Sequence, residues 1–290
     1  MTTKVYDVII VGAGSVGCPA AFLLAQAGIK PLVIDQFTSP GQGSNKAAIG
    51  GIRATHSDVS KIRICLESLE IFSTWQETYG DNLEWYRGGY SFVAYRERDE
   101  QILKSLLKVQ QSYGLDIHWL DRDELLEVIP ALNPQGLIGG TYAPDDGSAS
   151  PLRSAHAFYA RAVERGAQFH FNERVTGIIT RGGKVVGVRT DKGGYATHTV
   201  INGAGPWARA VARMARLDVP VVPDSHEAGI TEPVARFLEP LVVDIRPAQG
   251  SRNYYFYQHR PGPIVFCITP EPPIVGTDRR GTSVFLPLIA

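Results

Sequence analysis

The stretch that most constrains the fold is residues 6–35, YDVIIVGAGSVGCPAAFLLAQAGIKPLVID. Val8, Ile9, Ile10 and Val11 form an unbroken apolar run, the pattern of a parallel strand buried on both faces. Gly12, Gly14 and Gly17 follow in GxGxxG spacing. The first permits a tight turn, the second lets backbone amides approach a pyrophosphate, and the third lets a helix pack close on the strand. Residues 15–27 read as that helix, with free N–H groups and the positive dipole end aimed at the phosphate. Pro19 falls in the first turn, where a missing donor costs nothing, and Gly28 stops the helix. Residues 31–34 supply a second strand. Asp35 ends it about twenty residues past the glycines, where a carboxylate binds ribose hydroxyls. A lone GxGxxG is weak evidence, but strand, helix and acid in this order point to a dinucleotide-binding unit.

The bland alternative for residues 8–29, which carry no charge, is a signal peptide or a membrane span. Four glycines and Pro19 interrupt it, its helical part is too short for a bilayer of about 30 Å, and Lys4 is answered by Asp7 instead of standing in a basic leader. The 290 residues suit two medium domains or one large one. Lys+Arg and Asp+Glu both total 29, so no strong field favours nucleic acid or an anionic membrane. Cys18, Cys65 and Cys267 are far apart and form no CxxC pair, which fits a reducing, cytoplasmic setting without a disulfide framework or zinc site. The histidines show no HxxxH or HxH spacing, and no metal site is expected.

Further along, residues 38–51 form a polar, glycine-rich loop leading into Gly50, Gly51, Ile52 and Arg53. It reads equally as a surface loop or as a second phosphate-contacting loop that brings Arg53 near a cofactor. Residues 60–79 have helical periodicity, with Ile62, Leu66, Leu69, Phe72 and Trp75 on one face. A strand at 89–95 and a helix at 99–113 follow, the latter with Ile102, Leu103, Leu106, Leu107 and Val109 apolar. Asp121 or Asp123 caps a short helix ending before Pro130. The adjacent Asp145 and Asp146 suggest acid–base work, but their turn-rich setting favours turn and cap duty. Residues 151–165 form an amphipathic helix, 168–171 a strand, and 175–180 with 184–190 a hairpin across Gly182 and Gly183. A strand at 197–201 runs into Asn202, Gly203, Ala204, Gly205 and Pro206, with a helix following from Pro206. The remainder is strand-like at 228–232, 241–245, 253–258, 264–268 and 283–286. Alternation puts Tyr255 and Tyr257 on one face of their strand and Tyr254 and Phe256 on the other; such an aromatic strand serves packing more often than ligand binding.

These motifs in order, GxGxxG to Asp35, the loop into GGIR at 50–53, PDDGSASP at 144–151, ERVTGI at 173–178 and INGAGPWA at 201–208, resemble the D-amino-acid oxidase-type flavoenzymes. Within them the chain is most similar to the group of the sarcosine oxidase β-subunit, dye-linked proline dehydrogenase β-subunit and glycine oxidase. HEAGITEP at 226–233 resembles the segment that re-enters the substrate domain in that group. The resemblance implies FAD as cofactor. It implies that Gly12, Gly14 and Gly17 hold the pyrophosphate and that Asp35, where most relatives carry Glu, holds the adenosine ribose. By the same resemblance Ser44 and Asn45 lie along the pyrophosphate and ribityl chain, Val175 meets the adenine through its backbone, and Gly203 and Gly205 let the chain pass close to the cofactor. Arg53 matches an arginine beside the isoalloxazine that binds a substrate carboxylate, and Tyr255 and Tyr257 fall on a strand facing the flavin.

The expected fold class is α/β: a Rossmann-like FAD-binding domain, residues 1–84 and 145–219, plus a mixed α+β substrate domain with a largely antiparallel sheet, residues 85–144 and 220–290. The expected function is oxidation of a small-molecule amino acid or secondary amine to an imine, by hydride transfer to flavin N5. No side chain stands out as an obligatory base. In the family another segment returns to close over the flavin, and this chain stops at Ala290, about where that return begins. Either a missing C-terminal segment or a partner subunit completes the site, or the cofactor site is incomplete. The alternatives are a non-catalytic or partner-dependent flavin-binding subunit of a larger dehydrogenase complex, and an NAD-dependent dehydrogenase.

Overall fold

A computed structural model describes residues 4–277; the strand expected at 283–286 lies outside the described residues. The chain divides into two compact units, residues 4–48 with 151–223 and 275–277, and residues 49–150 with 224–274.

The first unit is built on a four-stranded parallel sheet in the order Val200–Asn202, Ile9–Val11, Leu32–Ile34, Gln168–His170. Ile9, Ile10, Leu32 and Val33 are all fully buried, which is why their strands carry apolar residues without alternation. The helices Gly17–Gln26 and Pro151–Glu164 pack against each other, with Phe22 and Phe158 edge-to-face at 5.7 Å between centroids. A three-stranded antiparallel sheet, Val175–Arg181, Lys184–Thr190 and Gly194–Ala196, contains the expected hairpin. Its turn falls at Gly182 and Gly183, both at positive φ. Val175 and Val188 of this hairpin join Ile9, Ile34 and Val211 in one core cluster.

The second unit holds a seven-stranded sheet in the order Glu227–Ile230, Ile264–Pro270, Ser251–Gln258, Leu241–Asp244, Tyr90–Ala94, Gly139–Ala143, His118–Asp121. Only the pairing of Leu241–Asp244 with Tyr90–Ala94 is parallel. One face packs Val93, Val242 and Phe256 with Leu125, Ile129 and Leu238. The short helix Arg122–Val128 below it is fixed by a capping box between Asp121 and Glu124. The other face gathers Tyr90, Leu241, Val243 and Tyr257. Helix Val59–Tyr79 starts on an Asp58 cap and stops at left-handed Gly80. Of its expected apolar stripe Ile62, Leu69 and Trp75 are buried. In helix Glu97–Ser112, Leu103 is buried while Ile102 and Val109 are exposed, so its inward face is narrower than its composition implied.

The strands His118–Asp121 and Gly139–Ala143 have no counterpart in the sequence reading. Glycine weakens strand propensity, and Gly139 and Gly140 head the second of them. Crowding demands glycine there: a Cβ on Gly140 would come within 2.7 Å of the Phe92 carbonyl oxygen and 3.0 Å of Leu125 Cδ2. Residues 49–84, expected with the nucleotide fold, pack instead within the second unit. Gly51–Ile52 pairs antiparallel with Gly147–Ser148, Tyr86 bridges Ser148, and Ala54 and Leu69 share a core cluster with Leu115 and Ala143. No helix among the described residues is long and apolar enough to cross a membrane.

Candidate functional site

In the first unit a cleft opens where the strands Ile9–Val11 and Val200–Asn202 both end in glycine junctions. Of the nine residues expected to hold a cofactor, eight line it: Gly12, Gly14, Asp35, Ser44, Asn45, Val175, Gly203 and Gly205. Gly17 lies beneath. The two junctions interlock. A Cβ on Gly12 would strike the Gly203 carbonyl, and one on Gly17 would strike the Gly12 carbonyl. Gly203 N–H donates to the Val11 carbonyl at 2.9 Å. So Gly17 packs on the turn itself as well as near the strand, where its Cβ would sit 3.4 Å from Ile10 Cγ2. Gly14 differs: a Cβ there meets no atom within 4 Å. The protein's own packing does not require glycine at this position, and the open space fits a ligand that the backbone must approach closely. The helix begins at Gly17, two residues later than expected, with Val16 at its cap; Pro19 is still in the first turn.

Asp35 is committed to the turn. Its Oδ2 accepts from Ala13 N–H at 2.6 Å and its Oδ1 from Phe37 N–H at 2.8 Å. The Ala13 carbonyl in turn accepts from Gly41 N–H at 2.9 Å and from the Cys18 thiol at 3.2 Å. Burial, then the Asp35 charge, push Cys18 up to about 12, so the thiol keeps its proton and donates. Each Asp35 oxygen retains acceptor capacity for a ribose hydroxyl. Asn45 Nδ2 donates to the Pro151 carbonyl at 2.6 Å, tying its short 3-10 turn, Ser44–Ala47, to the start of helix Pro151–Glu164.

Sequence reasoning missed Glu173. It is buried, 4% exposed, and lines the cleft. Its Oε1 accepts from Thr190 Oγ1 at 2.6 Å and Tyr195 OH at 2.8 Å, and its Oε2 lies 3.3 Å from His170 Nδ1. Burial and this carboxylate push Tyr195 up to about 12. Nothing in the local sequence distinguishes Glu173 from a surface glutamate, because both of its hydroxyl donors, Thr190 and Tyr195, come from later strands.

The three residues expected to bind substrate lie in the second unit on one face of its sheet. Arg53 sets its guanidinium 5.3 Å from the Tyr90 ring centroid and 5.4 Å from that of Phe92, and Nη1 donates to the Thr55 carbonyl. Its loop is anchored by Asp146, which accepts from Ala54 N–H at 2.8 Å, Thr55 N–H at 3.3 Å and Thr55 Oγ1 at 2.5 Å. Asp146 is fully buried, and burial raises its pKa against the effect of those bonds. The aspartate read as a turn residue is thus a clamp on the Arg53 loop. Tyr255 and Tyr257 share a face with Tyr90 and Val243. Tyr255 OH receives a bond from Cys267 Sγ at 2.7 Å, and Tyr257, 4% exposed, donates to the Ile49 carbonyl. Burial raises both phenols, Tyr257 to about 12, so both are neutral. Tyr257 is chiefly a packing residue.

A parallel sheet ending in interlocked glycine junctions, together with a largely antiparallel seven-stranded sheet, defines a two-unit dinucleotide-binding oxidoreductase fold. Residues 7–285 match the family described as FAD dependent oxidoreductase, DAO, and the chain belongs to that family. Human mitochondrial sarcosine dehydrogenase is 30% identical over 238 residues, 78% of this chain and 25% of the relative. Mouse mitochondrial dimethylglycine dehydrogenase is 26% identical over 258 residues, 88% of this chain and 30% of the relative. The chain therefore spans between a quarter and a third of the length of these curated relatives. Among solved structures, L-proline dehydrogenase from P. horikoshii is 28% identical with a TM-score of 0.90, covering 98% of this chain and 75% of that one. Glycine oxidase from Bacillus cereus, at 23% identity and a TM-score of 0.79 over 98% of this chain and 76% of that one, shares the fold. The cofactor of the family is FAD rather than NAD. The cleft of the first unit fits that group: an open space at Gly14, backbone amides at a helix start, and an acid at the end of the second strand.

Proposed function

We propose that this chain is the flavin-binding and substrate-binding part of an enzyme that oxidises an amino acid or a secondary amine to the imine. The convergence of eight separately expected residues on one cleft, with open space at Gly14, carries the flavin part of this reading. In it Gly12, Gly14 and Gly17 shape the pyrophosphate turn, Asp35 and the turn it braces receive the ribose, Ser44 and Asn45 border the pyrophosphate and ribityl chain, and Gly203 and Gly205 allow close passage. Val175 contributes backbone to the adenine end. Bound flavin supplies the two-electron acceptor for hydride removed from the amine's α-carbon. Arg53 fixes the substrate carboxylate through two parallel hydrogen bonds. The neutral Tyr255 shapes an apolar wall that the buried Tyr257 backs, and neither takes part in proton transfer. The names of the relatives, which act on N-methylated amino acids or proline, support the substrate class, and the free thiols accord with a reducing compartment such as the cytoplasm.

The test is an anaerobic titration of the FAD-loaded protein with sarcosine and with L-proline. Bleaching of the flavin band by either supports the reading. A yellow protein that no amine or amino acid bleaches, until a partner subunit is added, favours the partner-dependent alternative. A protein that takes up no FAD under either condition overturns both.

A further inference from the structure

Within the second unit a cavity of about 290 Å³ is lined by Arg53, His56 and Lys61 together with the apolar side chains of Phe92, Leu103 and Leu106. No aspartate or glutamate belongs to its lining. Among the described residues neither Arg53 nor Lys61 pairs with a carboxylate. The flanking acids are engaged elsewhere. Asp58 caps helix Val59–Tyr79, its side chain accepting from Lys61 N–H at 3.0 Å, and Asp146 is taken up by Ala54 and Thr55. Lys61 stands in the first turn of that helix, where a cation opposes the helix dipole, so its charge does not serve the helix. His56 adds no charge: burial, then Arg53 and Lys61, lower it to about 4, and the imidazole is neutral near pH 7.

Two cations without counter-ions on one cavity favour an anionic ligand. Arg53 is the fixed one, half-buried with its guanidinium set against Tyr90 and Phe92, whereas Lys61 is exposed. An amino acid with an uncharged side chain is a net-neutral zwitterion. Its single carboxylate, held by Arg53, leaves Lys61 unanswered. A second carboxylate at the end of a short side chain gives the amino acid a net negative charge, and the methylenes between the two acids find apolar surface on Phe92, Leu103 and Leu106. We propose that the preferred substrate is an acidic amino acid or its N-alkyl derivative, with the α-carboxylate on Arg53, the side-chain methylenes along the apolar lining and the second carboxylate on Lys61. The inference rests on the reading of Arg53 as the amino acid's carboxylate partner and adds to it the class of side chain and the residue that selects it.

The experiment is calorimetric titration of the protein as isolated with 2-methylglutamate and 2-methylaspartate, each against its side-chain amide, 2-methylglutamine or 2-methylasparagine. All four lack the α-hydrogen and so bind without being oxidised, and each amide keeps the shape of its acid while losing the second charge. At least one acid is expected to bind about two- to fivefold more tightly than its amide, the worth of a solvent-facing ion pair. Lys61→Gln is expected to bring that ratio to about one with the melting temperature unchanged, since the side chain is exposed, and Lys61→Arg to retain it. Equal affinity of both acids and their amides, or a preference that survives in Lys61→Gln, overturns the proposal. If in that case Arg53→Lys still weakens acids and amides alike, the side-chain selection falls and the carboxylate role of Arg53 stands. If Arg53→Lys is silent as well, or if none of the four ligands binds, both fall.

Discussion

Asp35 holds the Ala13 N–H on one oxygen and the Phe37 N–H on the other, so its removal acts on the turn before it acts on any ribose. Asp35→Ala is expected to lower unfolding free energy by on the order of 1–3 kcal/mol, the worth of a hydrogen bond to a charged acceptor, and to weaken FAD binding at the same time. Urea unfolding of the flavin-free protein, paired with fluorescence titration of FAD, measures the two effects. A variant with normal stability and normal FAD affinity would contradict both roles. The glycines separate in the same way. Gly17→Ala drives a Cβ into the Gly12 carbonyl and should cost about 1–3 kcal/mol of stability, as overpacking does. Gly14→Ala meets open space, so its flavin-free stability should stay within about 0.5 kcal/mol of the parent while flavin content drops. At Arg53, Lys keeps the charge but loses the planar fork. Arg53→Lys should therefore reduce kcat/KM for sarcosine more than for dimethylamine, which has no carboxylate; equal losses would leave Arg53 as a brace for its loop.

The loop that carries Arg53 is an element held from outside its own sequence. Asp146 clamps Ala54 and Thr55 from ninety-odd residues away, Gly51–Ile52 pairs with Gly147–Ser148, and Gln110 reaches the His56 carbonyl. Local reading could place a loop at 38–51 and an arginine after it, but not this clamp, because its partners are distant in the chain. The same limit hid Glu173 and the glycine-headed strand Gly139–Ala143. What could be read locally was read well: the apolar strands, the glycine turn, the hairpin at Gly182 and Gly183, and the helix stop at Gly28 each follow from a few adjacent residues. His56 in this loop gives the element a pH signature. Its pKa is depressed on folding, from 6.5 to about 4, first by burial and then by Arg53 and Lys61. Its contribution to stability is therefore complete above about 6.5 and is lost as pH falls through about 4. The urea midpoint should fall over that window in the parent and fall less steeply in His56→Gln; parallel curves would remove His56 from the account.

At the scale of the whole molecule, two units of different design carry two parts of one proposed reaction. Element order and sheet class could be read from the sequence, and the match over residues 7–285 places the chain among FAD dependent oxidoreductases. The boundary could not be read, since residues 49–84 join the second unit through pairings with residues near 147. The Asp146→Ala variant tests how far that packing depends on one buried carboxylate: losing its three bonds should cost on the order of 2–4 kcal/mol, and a melting temperature equal to the parent's would show that the loop is held otherwise. The central claim is that the first unit's cleft holds FAD at the open space beside Gly14. The most direct measurement is equilibrium FAD binding, followed by flavin fluorescence, in the parent and in Gly14→Val. The expected result is saturable one-to-one binding by the parent and none by a Gly14→Val protein that remains folded. Near-stoichiometric FAD on the folded variant, or no FAD on the parent, would contradict it.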